Sequence, residues 1–265
     1  MKRENVLIEA EELLKKLNHK NIRIYDASIT DVMYLQGHIP GAAYFNHEKF
    51  SDPNSPYECT ILPEDALEAQ IGNAGISNDA EVVVYACGML PYATRAWWVL
   101  HYAGHKNVRI LNGGLSAWEK AGGQIEQEVR RYEPSSFKAS FNPNMFASKE
   151  EVMASMGSDT VATIDVMPMA SYDASHIVAS TCLPCLDLMQ GMEYFLPDDK
   201  LEERLKEVSS NQRIITYCGG GIAAAVNAAA HLITGHKNVA IYDGSMYEWL
   251  AEGLPVKGTG KWEIW

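Results

Sequence analysis

The feature that most constrains what this chain can fold into is that its pattern occurs twice. The run HKNV begins at His105 and again at His236, and each copy continues into a short apolar run, a glycine and a helix-like segment that carries a tryptophan. Earlier in each half, in the same order, lie an apolar run ending in Asp, a His-Ile pair and an apolar run ending in Tyr. Because landmarks repeated in one order mark a structural unit used twice, the sequence predicts a tandem duplication.

The segment between the two copies sets the predicted domain boundaries. Residues 131–147, RYEPSSFKASFNPNMFA, hold prolines, serines and asparagines without a sustained periodicity, which is typical of a linker. We therefore predict a first domain over residues 1–130, a linker over 131–147 and a second domain over 148–265.

Each half alternates short apolar runs with longer segments of helical periodicity. The runs EVVVY, ending at Tyr85, and RIITY, ending at Tyr217, are continuously apolar, as are strands buried on both faces. The helical segments ATRAWWVLHYAG and AAAVNAAAHLITG follow them and end in glycine. The predicted fold class is α/β, with two domains that each contain a mostly parallel sheet flanked by helices. In such sheets, sites lie where strands end and helices begin.

The composition excludes several classes of function. Hydrophobic residues make up 47% and charged residues 21% of the chain, as in globular proteins. Acidic residues (34) outnumber basic ones (22), giving a net charge of −12, so nucleic acids and anionic membranes are poor partners. No apolar run reaches the roughly 18 residues of a membrane span, and the N-terminus lacks a signal-peptide pattern. Five cysteines at irregular spacing do not fit a secreted disulfide framework, so we expect a cytoplasmic protein.

The strongest chemical signal is Cys218, which directly follows the Tyr217 strand. Three glycines come next and then an Ala-rich helix, so backbone N–H groups and the positive end of a helix dipole can surround the thiol. Such surroundings favour the thiolate, and the same N–H groups can hold an anionic substrate. We predict that Cys218 is a nucleophile and that the loop after it binds substrate, through Gly219, Gly220, Gly221, Ile222 and Ala223. The alternative is an inert buried cysteine in an ordinary turn.

Several motifs together resemble the two-domain rhodanese-like sulfurtransferases, whose two main activities are those of thiosulfate and 3-mercaptopyruvate sulfurtransferases. The first-domain motifs are YDAS near Asp26, GHIPGAAYF from Gly37, SPY with a following LP, RAWWVL from Arg95 and NGGLSAW ending at Trp118. The second-domain motifs are CGGGIAA from Cys218 and DGSMYEW ending at Trp249.

The resemblance implies a specific chemistry. The catalytic cysteine would lie only in the second domain, at Cys218, and would carry sulfur as a persulfide from a small-molecule donor to a thiol or cyanide. A protein thiol is a further possible acceptor, and no metal or organic cofactor is implied. In members that use mercaptopyruvate a first-domain histidine assists the substrate, which makes His38 a candidate binding residue.

The chain departs from the family pattern at positions that select the donor. Thiosulfate-specific members carry cations where Gly219 and Gly220 stand, and mercaptopyruvate-specific members carry Ser at the position of Gly220. An Arg usual in both groups is replaced by Met167, and a Thr by Ala223. Thiosulfate transfer, 3-mercaptopyruvate transfer and a non-enzymatic persulfide carrier or interaction module all stay open, and an arginine introduced at 219 or 220 is expected to improve thiosulfate use. A cysteine phosphatase would need an arginine where Ala224 stands.

Other candidate residues have a structural interpretation. Cys87 lies one residue past the first-domain counterpart of Cys218, but its loop has a single glycine and a proline, and Cys59 lacks a partner motif. Cys182 and Cys185 form a CxxC, which can be a redox pair or half of a zinc site, but no second CxxC or His pair stands at metal-ligand spacing. The duplicated histidines, His38 and His176, favour a shared role in the fold over chemistry.

Overall fold

The computed structural model describes residues 1–208 and 210–262, and within them the chain forms two similar domains. In the first, a fully parallel sheet has the strand order β1-β5-β4-β2-β3. Its strands are β1 (Leu7–Ile8), β2 (Ile22–Asp26), β3 (Ala43–Tyr44), β4 (Glu81–Tyr85) and β5 (Val108–Leu111). Its helices are α1 (Ala10–Lys16), α2 (Asp31–Gln36), α3 (Glu64–Asn73), α4 (Leu90–Tyr102) and α5 (Gly114–Lys120).

The second domain repeats this arrangement. Its main sheet is also parallel, in the order β6-β13-β12-β7-β9, and two antiparallel pairs, β8 with β14 and β10 with β11, are added to it. The strands are β6 (Phe146–Ala147), β7 (Val161–Asp165), β8 (His176–Ile177), β9 (Thr181–Cys182), β10 (Met189–Gln190), β11 (Tyr194–Phe195), β12 (Arg213–Tyr217), β13 (Val239–Tyr242) and β14 (Val256–Lys257). The helices are α6 (Lys149–Ser155), α7 (Met169–Ala174), α8 (Asp198–Leu205), α9 (Ala224–Ile233) and α10 (Ser245–Ala251). The α/β class and the duplication are confirmed.

The two Tyr-ending runs are the central strands, β4 and β12. Each is buried from its second residue onward and pairs in parallel with strands on both sides, which is why the sequence shows no alternation. Their terminal hydroxyls bind the chain that crosses above: Tyr85 accepts the Ile39 N–H at 3.1 Å, and Tyr217 accepts the Ile177 N–H at 3.0 Å. The repeated tyrosine therefore fixes the isoleucine of the His-Ile pair in both halves.

The segment predicted as a linker packs along the first domain. The Tyr132 hydroxyl donates to the Gly41 carbonyl at 2.8 Å, Phe137 is buried, and the Asn142 N–H donates to the Tyr102 carbonyl at 3.0 Å. Strand β6, at residues 146–147, lies inside the segment and already pairs with β13. The segment is thus ordered by the first domain and ends as part of the second sheet.

Helices α4 and α9 bring the two domains together. They contact each other directly, and one continuous apolar cluster contains Trp97 and Trp98 from α4 and Ala228 and Ala229 from α9. Every residue of α9 is buried, and its small side chains allow close approach to the large side chains of α4. Since α9 starts just after Cys218, this packing places the cysteine at the domain interface. Over the described ranges, the helices are all too short or too polar to cross a bilayer.

Candidate active site at the domain interface

Cys218 lies at the carboxyl end of β12, at the start of a loop (residues 218–223, the cysteine loop) that leads into α9. Its side chain is buried, and the Gly221 N–H donates to its Sγ at 3.1 Å. Gly221 adopts φ +80°, and a Cβ there would lie 2.7 Å from the Asp243 Oδ1 atom. Glycine is therefore required at 221, both for its backbone conformation and for space, and it aims an N–H at the sulfur.

Helix α10, which follows the neighbouring strand β13, holds the cysteine loop through hydrogen bonds. The Cys218 N–H donates to the Ser245 hydroxyl at 3.1 Å, and that hydroxyl donates to the Tyr242 carbonyl at 2.8 Å. The Met246 and Tyr247 N–H groups donate to the carbonyls of Cys218 and Gly219, each at 3.0 Å. Ser245 holds a left-handed conformation, φ +49°, which is uncommon for a residue other than glycine. Three hydrogen bonds to α10 thus hold the loop, the Gly221 N–H contact to Sγ fixes it internally, and the loop is pre-organised.

A buried ion pair joins the first domain to this loop. Arg95, on α4, donates from Nη1 to Asp243 Oδ1 at 2.6 Å and to the Gly221 carbonyl at 3.4 Å. Its Nη2 donates to the Cys59 carbonyl at 2.8 Å, and the Ile61 N–H donates to the other Asp243 oxygen at 2.7 Å. Arg95 is 3% exposed. Its guanidinium therefore positions the loop and stays committed to these partners.

The first domain supplies the opposite wall of the site through residues 58–61. Cys59 adopts φ +63°, and burial raises the pKa of its thiol. Burial likewise raises the pKa of Tyr92. A Cβ added at Gly220 would lie 3.5 Å from the Glu58 carbonyl oxygen, so this segment lies beside the cysteine loop. The site is thus built from loops of both domains, with the cysteine contributed by the second.

Two aromatic rings lie against the glycines that follow Cys218. A Cβ added at Gly220 would approach the Tyr247 ring to 2.8 Å, and one at Gly219 would approach the Trp262 ring to 3.1 Å. These rings take the space that an arginine at 219 or 220 would need. We therefore revise the expectation from the sequence: such an arginine displaces an aromatic ring before it can serve a donor.

The remaining predicted binding residues fall into two groups. Ile222 and Ala223 are half-buried and accept the first backbone bonds of α9, and their role in binding substrate stays a prediction. His38 is fully buried within the first domain, where its Nδ1 pairs with the Tyr34 carbonyl at 2.8 Å and its Nε2 with the Glu128 carbonyl at 3.1 Å. Over the described chain both nitrogens of His38 are occupied by its own domain, so it is not brought to Cys218.

The second copy of this histidine has the same environment. His176 stacks on Tyr172 and pairs with its carbonyl at 2.6 Å, as His38 stacks on Tyr34. A shared contact in both halves, including the half without the nucleophile, fits the structural role that the duplication favoured.

In the first domain, the loop between β4 and α4 (residues 86–89) corresponds to the cysteine loop, and a carboxylate from the second domain binds to it. Glu193, in the β10–β11 hairpin, accepts from the Gly88 N–H at 3.2 Å and from the Ser116 hydroxyl at 2.9 Å. Burial and the charges of Asp26 and Glu193 raise the pKa of the Cys87 thiol. Cys87 is therefore kept protonated where a nucleophile would need a thiolate.

The CxxC residues are equally unsuited to thiolate chemistry. Burial raises the pKa of Cys182 and of Cys185 to about 12 each, with nearby carboxylates contributing at Cys182 and Cys218 contributing at Cys185. The Cys182 thiol also donates to the Met167 carbonyl at 3.4 Å. Both cysteines are thus neutral thiols at physiological pH.

Sequence reasoning missed the residues that support the loop: Arg95, Asp243, Tyr247 and Trp262. One signal was available, because an arginine inside the apolar run RAWWVL must be buried, and buried charges are paired. Asp243 follows β13, which pairs with the strand before Cys218, and it precedes a glycine. A partner for Arg95 would be expected at such a strand end. Trp262 had no signal, since only the folded chain brings it to the loop.

Comparisons with known proteins agree with this architecture. Residues 9–121 and 148–252 each match the model of the rhodanese-like domain. Thiosulfate sulfurtransferase of Bos taurus is 33% identical over 238 residues, which covers 84% of this chain and 80% of that protein. The 3-mercaptopyruvate sulfurtransferase of Escherichia coli (strain K12) is 30% identical over 273 aligned residues, which covers 94% of this chain and 97% of that protein.

Solved structures show the same relationship. SseA of Escherichia coli superposes with a TM-score of 0.80 at 29% identity, covering 90% of this chain and 98% of that one. Tum1 of Saccharomyces cerevisiae superposes with a TM-score of 0.84 at 21% identity, covering 94% and 96%, and shares the fold. With both halves matched to one domain model and relatives aligned across both, the chain belongs to the rhodanese-like sulfurtransferases, as a tandem of two rhodanese-like domains.

Proposed function

We propose that this sulfurtransferase moves sulfane sulfur from thiosulfate or a related donor to a thiol or cyanide, through a persulfide on Cys218. The observation that carries the proposal is the 3.1 Å contact from the Gly221 N–H to Cys218 Sγ, in a loop held from both domains. An N–H aimed at sulfur stabilises a thiolate, and it can stabilise the charge of a terminal persulfide in the same way. Burial raises the thiol pKa of Cys87, Cys182 and Cys185, and nearby carboxylates raise it further at Cys87 and Cys182.

The reaction balances in two displacements. The Cys218 thiolate attacks the outer sulfur of thiosulfate, the S–S bond of the donor breaks, and sulfite leaves with its electron pair. An acceptor thiolate then attacks the outer sulfur of the Cys218 persulfide, the new S–S bond breaks, and Cys218 returns to the thiolate. With 3-mercaptopyruvate the C–S bond breaks instead, and the carbon takes up a proton to give pyruvate.

The charges around Cys218 favour a singly charged donor. Among the described residues that form the site, the one cation is Arg95, whose guanidinium is committed to Asp243 and to the carbonyls of Gly221 and Cys59. A missing charge-assisted bond costs about 1.5–3 kcal/mol, which is on the order of tenfold to a hundredfold in the donor step. We therefore propose slow use of thiosulfate, which is a dianion, and comparable or better use of 3-mercaptopyruvate. The alignment of the Escherichia coli 3-mercaptopyruvate sulfurtransferase over 94% of this chain supports the second part.

A donor panel tests both the reaction and the preference. The protein is incubated with thiosulfate or 3-mercaptopyruvate, and intact mass and peptide mapping then show whether Cys218 has gained one sulfur atom. We expect loading by both donors, slower with thiosulfate, and turnover when cyanide or a thiol is added. Loading without turnover would instead support a persulfide carrier, and absence of loading by any donor would refute the proposed function. Low-micromolar KM for thiosulfate would refute the donor preference alone.

Phosphatase chemistry lacks the group that it needs. The position that would carry the phosphate-clamping arginine is Ala224, a fully buried residue at the start of α9. Its methyl group offers no bidentate donor for phosphoryl oxygens. The site therefore supports sulfur transfer over phosphoryl transfer.

A further inference from the structure

The cysteine loop is bordered by an aromatic pair whose members come from different parts of the second domain. Tyr247 belongs to α10, whereas Trp262 follows β14 near the end of the described chain. Their ring centroids are 5.9 Å apart and their planes are nearly perpendicular, at 88°. The Tyr247 ring lies against both Gly219 and Gly220, and the Trp262 ring lies against Gly219. The glycines and the rings thus form one complementary surface next to the nucleophile.

The segment before Trp262 is tied down, so the ring has a defined place. Val256 and Lys257 pair with Ile177 and His176. The N–H groups of Thr259 and Gly260 then donate to the carbonyls of Asp173 and Ala174, at 2.9 and 3.0 Å. These bonds direct the chain back toward the cysteine loop, where Trp262 packs on the apolar clusters of the interface and of the second domain.

Trp262 also holds an unused hydrogen-bond donor. Its indole Nε1 is enclosed and has no hydrogen-bond partner among the described residues. An enclosed donor without a partner is costly, and a bound molecule that accepts from this N–H would remove that cost. The neighbouring wall adds Tyr92 and the anionic Glu58, close to Tyr247, rather than a free cation. Among the described residues, the side chains beside the cysteine loop are therefore aromatic and apolar and include no free positive charge.

We propose that Trp262, together with Tyr247, determines the specificity of the second half-reaction, by selecting sulfur acceptors with a flat or apolar body over small hydrophilic ones. The inference rests on the proposed function, because it requires a persulfide on Cys218. A flat acceptor would stack or pack on the rings and present its thiolate to the outer sulfur, whereas cyanide is too small to use the wall. Trp262 is a specificity-determining residue and takes no part in bond making.

Single-turnover discharge of the loaded protein tests this inference. Cys218 is loaded with donor, excess donor is removed, and loss of the added sulfur mass is followed with phenylmethanethiol, 2-mercaptoethanol or cyanide. The two thiols have similar acidities, so their rate ratio reports recognition of the phenyl group. For the unsubstituted protein we expect phenylmethanethiol to react roughly tenfold faster than 2-mercaptoethanol, the size of a good aromatic contact.

Two substitutions and a control separate the role of the ring from folding. Trp262→Ala should reduce the phenylmethanethiol preference about tenfold while the cyanide rate changes less than about twofold. Trp262→Phe keeps a smaller ring and should retain an intermediate preference, because part of the aromatic contact remains. Lys261→Ala changes the exposed neighbour in the same segment and should behave as the unsubstituted protein.

The outcomes distinguish this inference from the function on which it rests. If Cys218 of the unsubstituted protein never gains sulfur, the proposed function fails and this inference with it. If Cys218 loads but Trp262→Ala slows all three acceptors equally, or slows none, the function stands and the specificity role is overturned. Trp262→Phe, with its smaller change, decides the question in the same way if Trp262→Ala does not fold.

Discussion

At the scale of single residues, the cysteines of this chain differ in what their thiols face. Cys218 receives the Gly221 N–H, while Cys87 lies near the carboxylates of Asp26 and Glu193. Cys182 and Cys185 are neutral because burial raises the pKa of each to about 12. Reactivity is therefore selected by backbone direction and nearby charge, neither of which is visible in the residue type.

This contrast predicts the effect of cysteine replacement. Cys218→Ser should abolish sulfur transfer, because a hydroxyl forms no persulfide, whereas Cys87→Ser should keep most of the activity. Both variants are assayed for loading by intact mass and for turnover with cyanide. An inactive Cys87→Ser together with an active Cys218→Ser would reverse the domain assignment.

A second residue-scale prediction concerns Asp165, at the end of β7. Burial raises the pKa of this carboxyl from 3.8 to about 6, so the folded state binds its proton more tightly than the unfolded state. Its contribution to stability is complete below about pH 4 and is lost as the pH rises through about 6, a loss on the order of 3 kcal/mol. Asp165→Asn removes the titration while Oδ1 can still accept the Met167 N–H.

The difference in unfolding free energy, Asp165→Asn minus unsubstituted, should therefore increase between about pH 4 and about pH 7. Urea unfolding at both pH values measures it, with the exposed Asp199→Asn as a control for net charge. A difference that decreases with pH would mean that the folded state stabilises the Asp165 carboxylate.

At the scale of elements, the strands and helices could be predicted because they depend on residues that are close together in the sequence. EVVVY and RIITY are β4 and β12, and the Trp-containing and Ala-rich segments are α4 and α9, because apolar periodicity is a local property. Pro91, the proline that the sequence placed in the Cys87 loop, lies in the first turn of α4, where its missing N–H costs nothing. Cys218 and the glycines after it could also be recognised from the sequence, because they are adjacent in the chain. The contacts of Arg95 and Trp262 could not, since only the packed domains bring them to the loop.

The Arg95–Asp243 pair predicts how strongly α4 controls that loop. Arg95→Met leaves Asp243 buried without its cation and should lower the unfolding free energy by about 3–5 kcal/mol. Adding Asp243→Asn to it should recover part of this loss, because the uncompensated charge is then gone. Urea unfolding of the two single variants and the double variant gives the coupling, and Cys218 loading should slow in Arg95→Met.

A matched surface pair provides the comparison. Lys200 and Glu203 form an exposed ion pair at 3.0 Å, and Lys200→Met should change stability by no more than about 1 kcal/mol. Equal effects of Arg95→Met and Lys200→Met would show that burial adds nothing to the Arg95 pair.

At the scale of the whole molecule, the largest apolar cluster spans both domains, while each domain also has a smaller cluster of its own. The cluster around α4 and α9 runs through both domains, and the segment 131–147 is bound along the first and paired into the second. Isolating either domain would expose the apolar face that the other covers. Sequence duplication here has produced two similar units that are not independent.

We therefore expect the chain to unfold as one cooperative unit. Hydrogen exchange followed by mass spectrometry should give peptides from β4 and β12 the same free energy of opening, equal to that of global unfolding by urea. The isolated second domain, residues 148–265, should not load sulfur on Cys218, because α4 and Arg95 are missing. A distinctly lower opening energy for one domain, or efficient loading of the isolated one, would contradict this expectation.

The carboxylate of Glu193 has a consequence for exchanging parts between relatives. Each half reaches across the interface to complete the other: residues 58–61 close the loop around Cys218, and the β10–β11 hairpin fills the loop around Cys87. In a chimera that takes one half from a relative, each loop would face a segment from a different protein, because the loop and the segment that contacts it lie in different halves. A functional exchange must therefore include each loop and the segment of the other half that contacts it, although these two stretches are far apart in the gene. The two halves are thus expected to have evolved together.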